Sequence, residues 1–428
     1  MTPSIEFTSP EEIKSRQEKL LRDQMQYLLH NSPYYQELFR KHAIEVGSIH
    51  TLDDLQKIPV TTKDDLHRQN MDFLCVPATK IVDYVTTSGT LGEPVTIALT
   101  DRDLDRLALN EAISFDCAGV APGEVVQLMT TLDRRFMAGM AYFLGARKLG
   151  CGIIRVGNGI PELQWDSIHR FNPATLIAVP SFLLKMIEYA ESKGISLDDS
   201  GVKRAICIGE PIRNVDFSWN SLGEKILQKW KIELCSTYAS TEMQTAFSEC
   251  SAGNGGHHHP ELIIVEFLDD DNQPVKKGEP GEVTITTLGV EGMPLLRFKT
   301  GDIFYYYTGT CSCGRQTLRL GPVLGRRKHM VKYKGTTLYP PALFDILDKV
   351  EYVKEYIVEV STNTIGMDEI LVRVACPNPP ENFIKEIQDH FRAVLRVAPP
   401  IRLESENDLL KDMNPVLSRK PMKFIDRR

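Results

Sequence analysis

TLIAVPSFLLKMIEYAESKGISLDDSGVKRAICI, residues 175–208, sets two short apolar runs, TLIAV and RAICI, on either side of the helix-like segment SFLLKMIEYAESKG. A strand, a helix and a strand in that space suit parallel neighbours joined by a crossover. The same alternation continues outward, with VVQLM from Val125 and GIIRV from Gly152 before it and KIELCSTY from Lys231 after it. It predicts a mainly parallel sheet with helices on its faces. Towards the start, Ile13, Leu20, Leu21, Met25 and Leu28 share one stripe of the segment from Pro10 to His30, an amphipathic docking helix. From Glu261 to Tyr307 the character changes: DDDNQPV and KKGEPGE supply tight-turn residues, and antiparallel hairpins are expected. After Gly325 come a further hairpin region, strand-like IVEVST and EILVRVACP, and helix-like ENFIKEIQDHFRAVLRV. The expected domains are 1–325 and a small α+β unit, 326–428, with the boundary near Gly325 to Lys328.

The 428 residues are 42% hydrophobic and 25% charged, which is globular and excludes collagen, a disulfide miniprotein and a disordered tail. Fifty basic residues against 57 acidic ones give a net charge of -7, and no long basic block invites nucleic acid or anionic lipid. Glu6, Glu11, Glu12 and Lys14 interrupt the apolar core a secretory signal needs, and ATLIAVPSFLL is too short to span a bilayer. The expectation is a cytoplasmic protein without membrane or nucleic-acid partners. Nine mostly isolated cysteines do not form a disulfide framework. Cys75, Cys117, Cys151, Cys207, Cys235 and Cys376 read as small buried hydrophobes.

The sharpest chemical signal is Thr86-Thr87-Ser88-Gly89-Thr90-Leu91-Gly92-Glu93-Pro94, between strand-like IVDYV and VTIAL. Hydroxyl donors, free backbone N–H groups and glycines that allow close approach suit a triphosphate. GxxxxGK[ST] and GxGxxG are both absent, and alone the segment is an ordinary turn. Downstream stand Tyr238-Ala239-Ser240-Thr241-Glu242, Arg297 to Asp302, and Gly325-Arg326-Arg327-Lys328.

In this order the set resembles the adenylate-forming superfamily of acyl-CoA synthetases, most closely its phenylacetate-CoA ligase family. The resemblance covers nearly the whole chain, including NSPYYQELF, LDDLQKIPVTTKDDL, FMAGMAYFLGARKLG, the GEP of Gly209 to Pro211 and GEPGEVTITTL from Gly278. It implies an α/β fold, a large adenylate-forming N-terminal domain with mixed sheets and flanking helices plus a small mobile α+β C-terminal domain. It also implies attack of a carboxylate on the α-phosphate of ATP, then transfer of the acyl group to coenzyme A. Thr87, Ser88, Gly89, Thr90 and Gly92 would cradle the departing phosphates. Thr241 would contact the α-phosphate and Glu242 would hold magnesium. Gly209, Glu210, Pro211 and Tyr238, with Ala239 and Ser240 beside it, would form the nucleotide slot. Asp302 would accept from the ribose hydroxyls, and Arg326 would bind ribose or phosphate.

The resemblance also calls for a lysine near the C-terminus that neutralises charge at the α-phosphate. Lys420 falls at that place, with Arg419 where the family has glycine, and Lys423 is the alternative. Val95 stands where many superfamily members carry lysine, which favours the phenylacetate-type branch. Lys328 takes a position often held by aspartate and is the expected hinge between the adenylating and thioester-forming poses.

Cys250, His257-His258-His259 and the tight Cys311-Ser312-Cys313-Gly314 knuckle make a metal-like constellation for structural zinc. Relatives with a Glu-Cys dipeptide, a Gly-x-His and a later CxC select His257 of the three. Phe136, Ala138, Met140, Ala141, Tyr142 and Phe143 offer an apolar wall for an arylacetic acid, or equally an interior.

The expectation is therefore an ATP- and Mg2+-dependent ligase that makes an aryl- or arylacetyl-CoA through an acyl-adenylate. Its partners are a small carboxylic acid, ATP and coenzyme A, with homodimer formation left open. The alternatives are an adenylating relative with another acceptor, such as a carrier-protein thiol or the AMP transfer of coenzyme F390 synthetases, and a non-catalytic nucleotide-binding protein.

Overall fold

The computed structural model describes residues 4–87, 95–334, 336–364, 366–413 and 422–428. Two strands, β1 (Ile81–Thr86) and β2 (Thr96–Thr100), pair antiparallel with Thr86 opposite Thr96. The chain then builds an eleven-stranded sheet. Its first half holds β3 (Val125–Leu128), β4 (Gly152–Arg155), β5 (Thr175–Ala178), β6 (Arg204–Ile208) and β7 (Glu233–Ser240), ordered β4-β3-β5-β6-β7 and parallel throughout. Every connection carries a helix, in turn Met137–Leu149, Pro161–Phe171, Pro180–Lys193 and Ser221–Lys229. The helix inside the 175–208 segment starts at Pro180, whose missing N–H costs nothing there, and stops at Gly194, where φ is 66°. Its Leu183, Met186, Ile187 and Ala190 are buried against Leu176 and Ala205. Trp165 and Trp230 stack in the same core at 5.5 Å.

The sheet goes on through β8 (Thr245–Glu249), β9 (Gly256–His257), β10 (Ile263–Leu268), β11 (Gly281–Thr287), β12 (Phe298–Tyr307) and β13 (Arg319–Arg326), in the order β7-β8-β9-β13-β12-β11-β10. The pairs β7–β8, β8–β9, β9–β13 and β10–β11 are antiparallel. The hairpin region expected after Glu261 thus extends the same sheet that the βαβ units begin.

The N-terminal helix Pro10–Asn31 opens with a Ser9/Glu12 capping box. It buries Ile13, Leu21, Met25 and Leu28 as expected, whereas Leu20 is only half-buried. Gln17 and Gln24 are buried as well, and Gln17 donates to the strand carbonyl Ile263 O at 2.9 Å. Tyr27 donates to Glu291 O at 2.7 Å, and Leu296 N donates to Tyr35 Oη at 2.8 Å.

The chain divides into two compact units, with the change at Pro322/Val323; the second unit also takes in Gly301–Ile303. This second unit has a hairpin, β14 (Val331–Tyr333) with β15 (Thr336–Leu338). It also has a sheet of β16 (Glu355–Thr362), β17 (Asp368–Ala375), β18 (Ile401–Glu404) and β19 (Phe424–Asp426), ordered β18-β17-β16-β19. Helices Pro340–Asp348 and Phe383–Leu395 supply Leu343, Phe383, Ile387 and Phe391 to a core with Tyr356, Val358, Val372 and Val374. Among the described residues no helix is long and apolar enough to cross a membrane.

Candidate functional site

The Thr/Ser/Gly loop is closed at its base by two hydrogen bonds. Thr87 N donates to Val95 O at 3.0 Å, and Val95 N donates to Thr87 Oγ1 at 3.1 Å. Thr86 N reaches Arg135 O at 3.0 Å. Ser88, Gly89, Thr90 and Gly92 lie outside the described residues.

Two other predicted segments meet at one edge of the sheet. β6 and β7 run parallel with Ile208 opposite Thr237, so Gly209-Glu210-Pro211 and Tyr238-Ala239-Ser240 emerge side by side. Ligands in open α/β sheets gather at such carboxyl ends. Gly209 takes φ 76°, open to glycine without strain. Glu210 accepts from Ser181 N and Ser181 Oγ, both at 2.9 Å, which fixes the turn against the start of the helix Pro180–Lys193. The Tyr238 ring packs on Phe304 at 4.6 Å and stays half-buried.

After β7 the chain makes one closed turn. Gln244 N donates to Ser240 O and Met243 N to Ser240 Oγ, each at 3.3 Å, and Gln244 takes φ 51°. Thr241 and Glu242 occupy the middle of that turn. Glu242 is 8% exposed, and its Oε1 lies 3.4 Å from Lys63 Nζ. A nearly buried carboxylate beside one ammonium has oxygen lone pairs left for a hard cation. Lys63 opens the helix Lys63–Arg68 in the segment VTTKDDL, where no local pattern marks it as a site residue.

Asp302 and Arg326 both belong to the second unit, where Arg326 Nε donates to Asp302 Oδ1 at 3.3 Å. Lys328 is the middle residue of the 3-10 turn Arg327–His329, and its carbonyl accepts from Arg428 Nη2 at 3.0 Å. Arg428 also reaches Met330 O at 2.8 Å and Asp368 at 3.0 Å. Lys420 lies outside the described residues. Lys423 is engaged within its own unit: its Nζ is 3.1 Å from Tyr356 Oη, 3.5 Å from Asp348 Oδ1 and 4.2 Å above the Tyr356 ring.

The apolar segment before and within the helix Met137–Leu149 divides. Ala141 and Tyr142 are buried, Tyr142 packing towards Phe115 and Val126. Phe136, Ala138 and Phe143 are half-buried, Phe143 under the Arg155 guanidinium at 5.5 Å, while Met140 is exposed.

The cysteine and histidine constellation converges. One ligand atom each from Cys250, His257, Cys311 and Cys313 fall within 4.8 Å of one another. Cys250 Sγ and Cys311 Sγ are 3.7 Å apart, and Cys313 Sγ is 3.6 Å from His257 Nε2. Tetrahedral zinc, with Zn–S near 2.3 Å and Zn–N near 2.1 Å, spaces its ligands by about 3.8 Å for two sulfurs and about 3.6 Å for sulfur and nitrogen. The donor set therefore fits that ion. His257 Nδ1 is bonded to Thr317 Oγ1 at 2.7 Å, which turns Nε2 towards the sulfurs, and burial pushes its pKa down to about 3, leaving a neutral imidazole. The two other histidines have separate tasks. His258 Nδ1 meets Leu318 O at 3.2 Å, and His259 bridges Ser114 Oγ at 3.0 Å and Glu6 Oε1 at 3.1 Å. Arg315 completes the surroundings, with Nε at 3.1 Å from Glu6 and Nη1 at 3.8 Å from Cys313 Sγ. Cys117 packs against Cys250 and Cys311.

The family model described as AMP-binding enzyme matches residues 29–292. The phenylacetate-coenzyme A ligase of Thermus thermophilus is 28% identical over 392 residues, which covers 90% of this chain and 85% of that protein. The enzyme of the same name from Escherichia coli K12 is 28% identical over 384 residues, covering 86% and 84%. Among solved structures, a 2-hydroxyisobutyryl-CoA ligase in its postadenylation state superposes with TM-score 0.85 at 22% identity, over 99% of this chain and 91% of that one.

Proposed function

The chain belongs to the AMP-binding enzyme family, on the phenylacetate-CoA ligase branch of the adenylate-forming superfamily, and we propose that its acid is an aryl or arylacetic acid. It is an ATP-dependent acid–CoA ligase that works through an acyl-adenylate. In the first half-reaction a carboxylate oxygen bonds to the α-phosphorus while the bond to the bridging oxygen breaks, releasing pyrophosphate. In the second, the thiol of coenzyme A attacks the acyl carbon and AMP departs.

The division of labour is as follows. Thr87 and the loop residues Ser88, Gly89, Thr90 and Gly92 hold the departing phosphates. Gly209, Glu210, Pro211, Tyr238, Ala239 and Ser240 form the nucleotide slot; Thr241 binds the α-phosphate. Glu242 holds magnesium, which supplies charge neutralisation along the triphosphate. Asp302 accepts from the ribose hydroxyls, with Arg326 beside it, and Lys420 neutralises the reacting oxygens. Lys423 is the weaker candidate because Tyr356 and Asp348 already occupy its ammonium. Phe136, Ala138, Met140 and Phe143 flank the acyl group, with Ala141 and Tyr142 backing them. Lys328 is the pivot between the domains 1–325 and 326–428. Cys250, His257, Cys311 and Cys313 hold a structural zinc, since four protein ligands leave no open position.

The observation that carries the reading is the parallel register of β6 and β7, which sends the GEP turn and the Tyr238–Glu242 segment out at one edge with Glu242 nearly buried. The test is a panel of carboxylic acids assayed for AMP release with and without coenzyme A. Phenylacetate-like acids are expected to release AMP in a CoA-dependent way. AMP release indifferent to CoA would point to another acceptor, and a preference for short aliphatic acids would overturn the substrate class.

A further inference from the structure

Arg106 is 7% exposed and lies within the helix Asp101–Cys117. Burial pulls its pKa down only to about 10, so it is a cation at neutral pH. Among the described residues no carboxylate pairs with it. Asp103, one turn earlier in the same helix, favours the cation through its charge but accepts its hydrogen bonds from Thr100 N, Glu291 N and Gly292 N, at 2.9, 2.7 and 2.9 Å. The guanidinium spends its donors on backbone and hydroxyl oxygen: Nε to Leu288 O at 2.7 Å, Nη1 to Gln244 O at 2.6 Å, and Nη2 to Leu262 O at 2.6 Å and Thr245 Oγ1 at 3.1 Å. Burying a cation with no carboxylate in direct contact is expensive, and the hydrogen bonds must offset that cost.

Two of the four contacts fall on consecutive residues, Gln244 and Thr245, at the end of the turn that carries Thr241 and Glu242. That turn is held at its start by Ser240, through Gln244 N and Met243 N. Its end is strained: Gln244 sits at φ 51°, a region L residues enter at a cost, and among the described residues its buried Oε1 has no hydrogen-bond partner. Such a conformation persists only where the surroundings over-determine it. Arg106 is the group that does so, because its planar fork fixes Gln244 O and Thr245 Oγ1 together.

We infer that Arg106 is a positioning residue for the adenylation step, holding Glu242 in its metal-binding position through Gln244 and Thr245. The inference rests on the assignment of Glu242 as the magnesium ligand. Lysine at 106 keeps the charge but offers a single ammonium in place of the fork, so it cannot hold both oxygens in the same geometry.

The experiment compares the parent, Arg106→Lys, Glu242→Gln and the double variant by calorimetric titration with ATP, with and without Mg2+, and by pyrophosphate exchange over a range of Mg2+ concentrations. Arg106→Lys should fold. It should weaken binding of ATP in the presence of Mg2+ by roughly tenfold or more, the equivalent of one lost hydrogen bond to a charged group. Metal-free ATP binding should hardly change, and the Mg2+ concentration for half-maximal exchange should rise in parallel. The double variant should need no more Mg2+ than Glu242→Gln alone, because both act through one carboxylate. If Glu242→Gln shifts the Mg2+ requirement and Arg106→Lys does not, the role of Arg106 is overturned while the site stands. If Glu242→Gln itself leaves the requirement unmoved, the assignment of Glu242 falls and the inference with it. Should Arg106→Lys fail to fold, Thr245→Val removes one arm of the fork; an unshifted Mg2+ requirement in that variant overturns the proposal.

Discussion

Lys63 Nζ stands 3.4 Å from Glu242 Oε1, tying a short helix early in the chain to the turn that leaves β7 nearly 180 residues later. The Lys63 side chain is 39% exposed, so solvent screens the pair and its share of stability is small. Lys63→Met should therefore leave the melting temperature nearly unchanged while acid-dependent pyrophosphate exchange falls by about tenfold or more, the scale of one lost charge at a phosphoryl-transfer site. Equal losses of stability and exchange would mean that the pair only staples the helix.

The two C-terminal lysines should separate cleanly. Lys423 is held by Tyr356 and Asp348, so Lys423→Ala should cost the second unit some stability and leave adenylation close to the parent. Lys420→Ala should abolish acyl-adenylate formation yet largely spare thioester formation from supplied acyl-adenylate, because its charge matters where the α-phosphate reacts. Loss of both half-reactions in Lys420→Ala, or of adenylation in Lys423→Ala, would reject the assignment.

Protein purified without affinity metal should carry about one zinc per chain, bound by Cys250, His257, Cys311 and Cys313. Cys311→Ser should lower the melting temperature far more than it changes ATP affinity, as expected of a metal that closes a fold and leaves catalysis elsewhere. Folded, active protein free of zinc by elemental analysis would end that reading.

At the proposed hinge, Lys328→Pro locks one φ at the second position of the 3-10 turn Arg327–His329. Adenylation should stay near normal and the coenzyme A step should fail, measured separately with supplied acyl-adenylate. A parental thioester rate would remove Lys328 from the pivot.

Glu111 offers a pH test. Burial raises its carboxyl from an ordinary 4.5 to about 8, with Asn110 Nδ2 donating to it at 2.9 Å. Between those values the folded chain keeps a proton that the unfolded chain has released. Stability therefore falls as pH rises through this window, by about 1.4 kcal/mol per pH unit from this group, and levels off above it. Glu111→Gln stays neutral throughout, so relative to the parent it should gain melting temperature steadily from pH 5 to pH 8. Parallel pH profiles for the two proteins would show that Glu111 is ionised in the fold.

Much of this was readable from residue order, and the exceptions have a physical cause. The βαβ alternation around 175–208 has a local signature, because apolar period and turn chemistry act over a few residues, and β5, the helix and β6 form as expected. The continuity of the parallel and antiparallel strands in one sheet depends on pairings such as β9 with β13, which no local pattern announces. Gln17 joins the buried face where it meets the carbonyl of Ile263, a partner 246 residues away. The motif residues of the site could be named individually, but Lys63 and Arg106 act across the fold. Nothing in their immediate neighbours distinguishes them from surface cations. Among the three histidines the family pattern already selects His257, which turns to the thiols, whereas the engagement of His259 by Glu6 and Ser114 is visible only in the fold.

The docking of the N-terminal helices has a consequence for synthesis. Gln17, Tyr27 and Tyr35 find their partners at Ile263, Glu291 and Leu296, and Glu6 finds its own at His259 and Arg315. At about 5–20 residues per second, a ribosome needs roughly 15–60 seconds to travel from the first of these residues to the last. Throughout that interval the stripe of Ile13, Leu21, Met25 and Leu28 has no sheet to cover it, although its helix has the capping box to form alone. This helix, made well before the strands it docks on, is thus among the last segments to reach its native contacts. In the cell, its exposed apolar face would be the natural place for a chaperone to hold the growing chain.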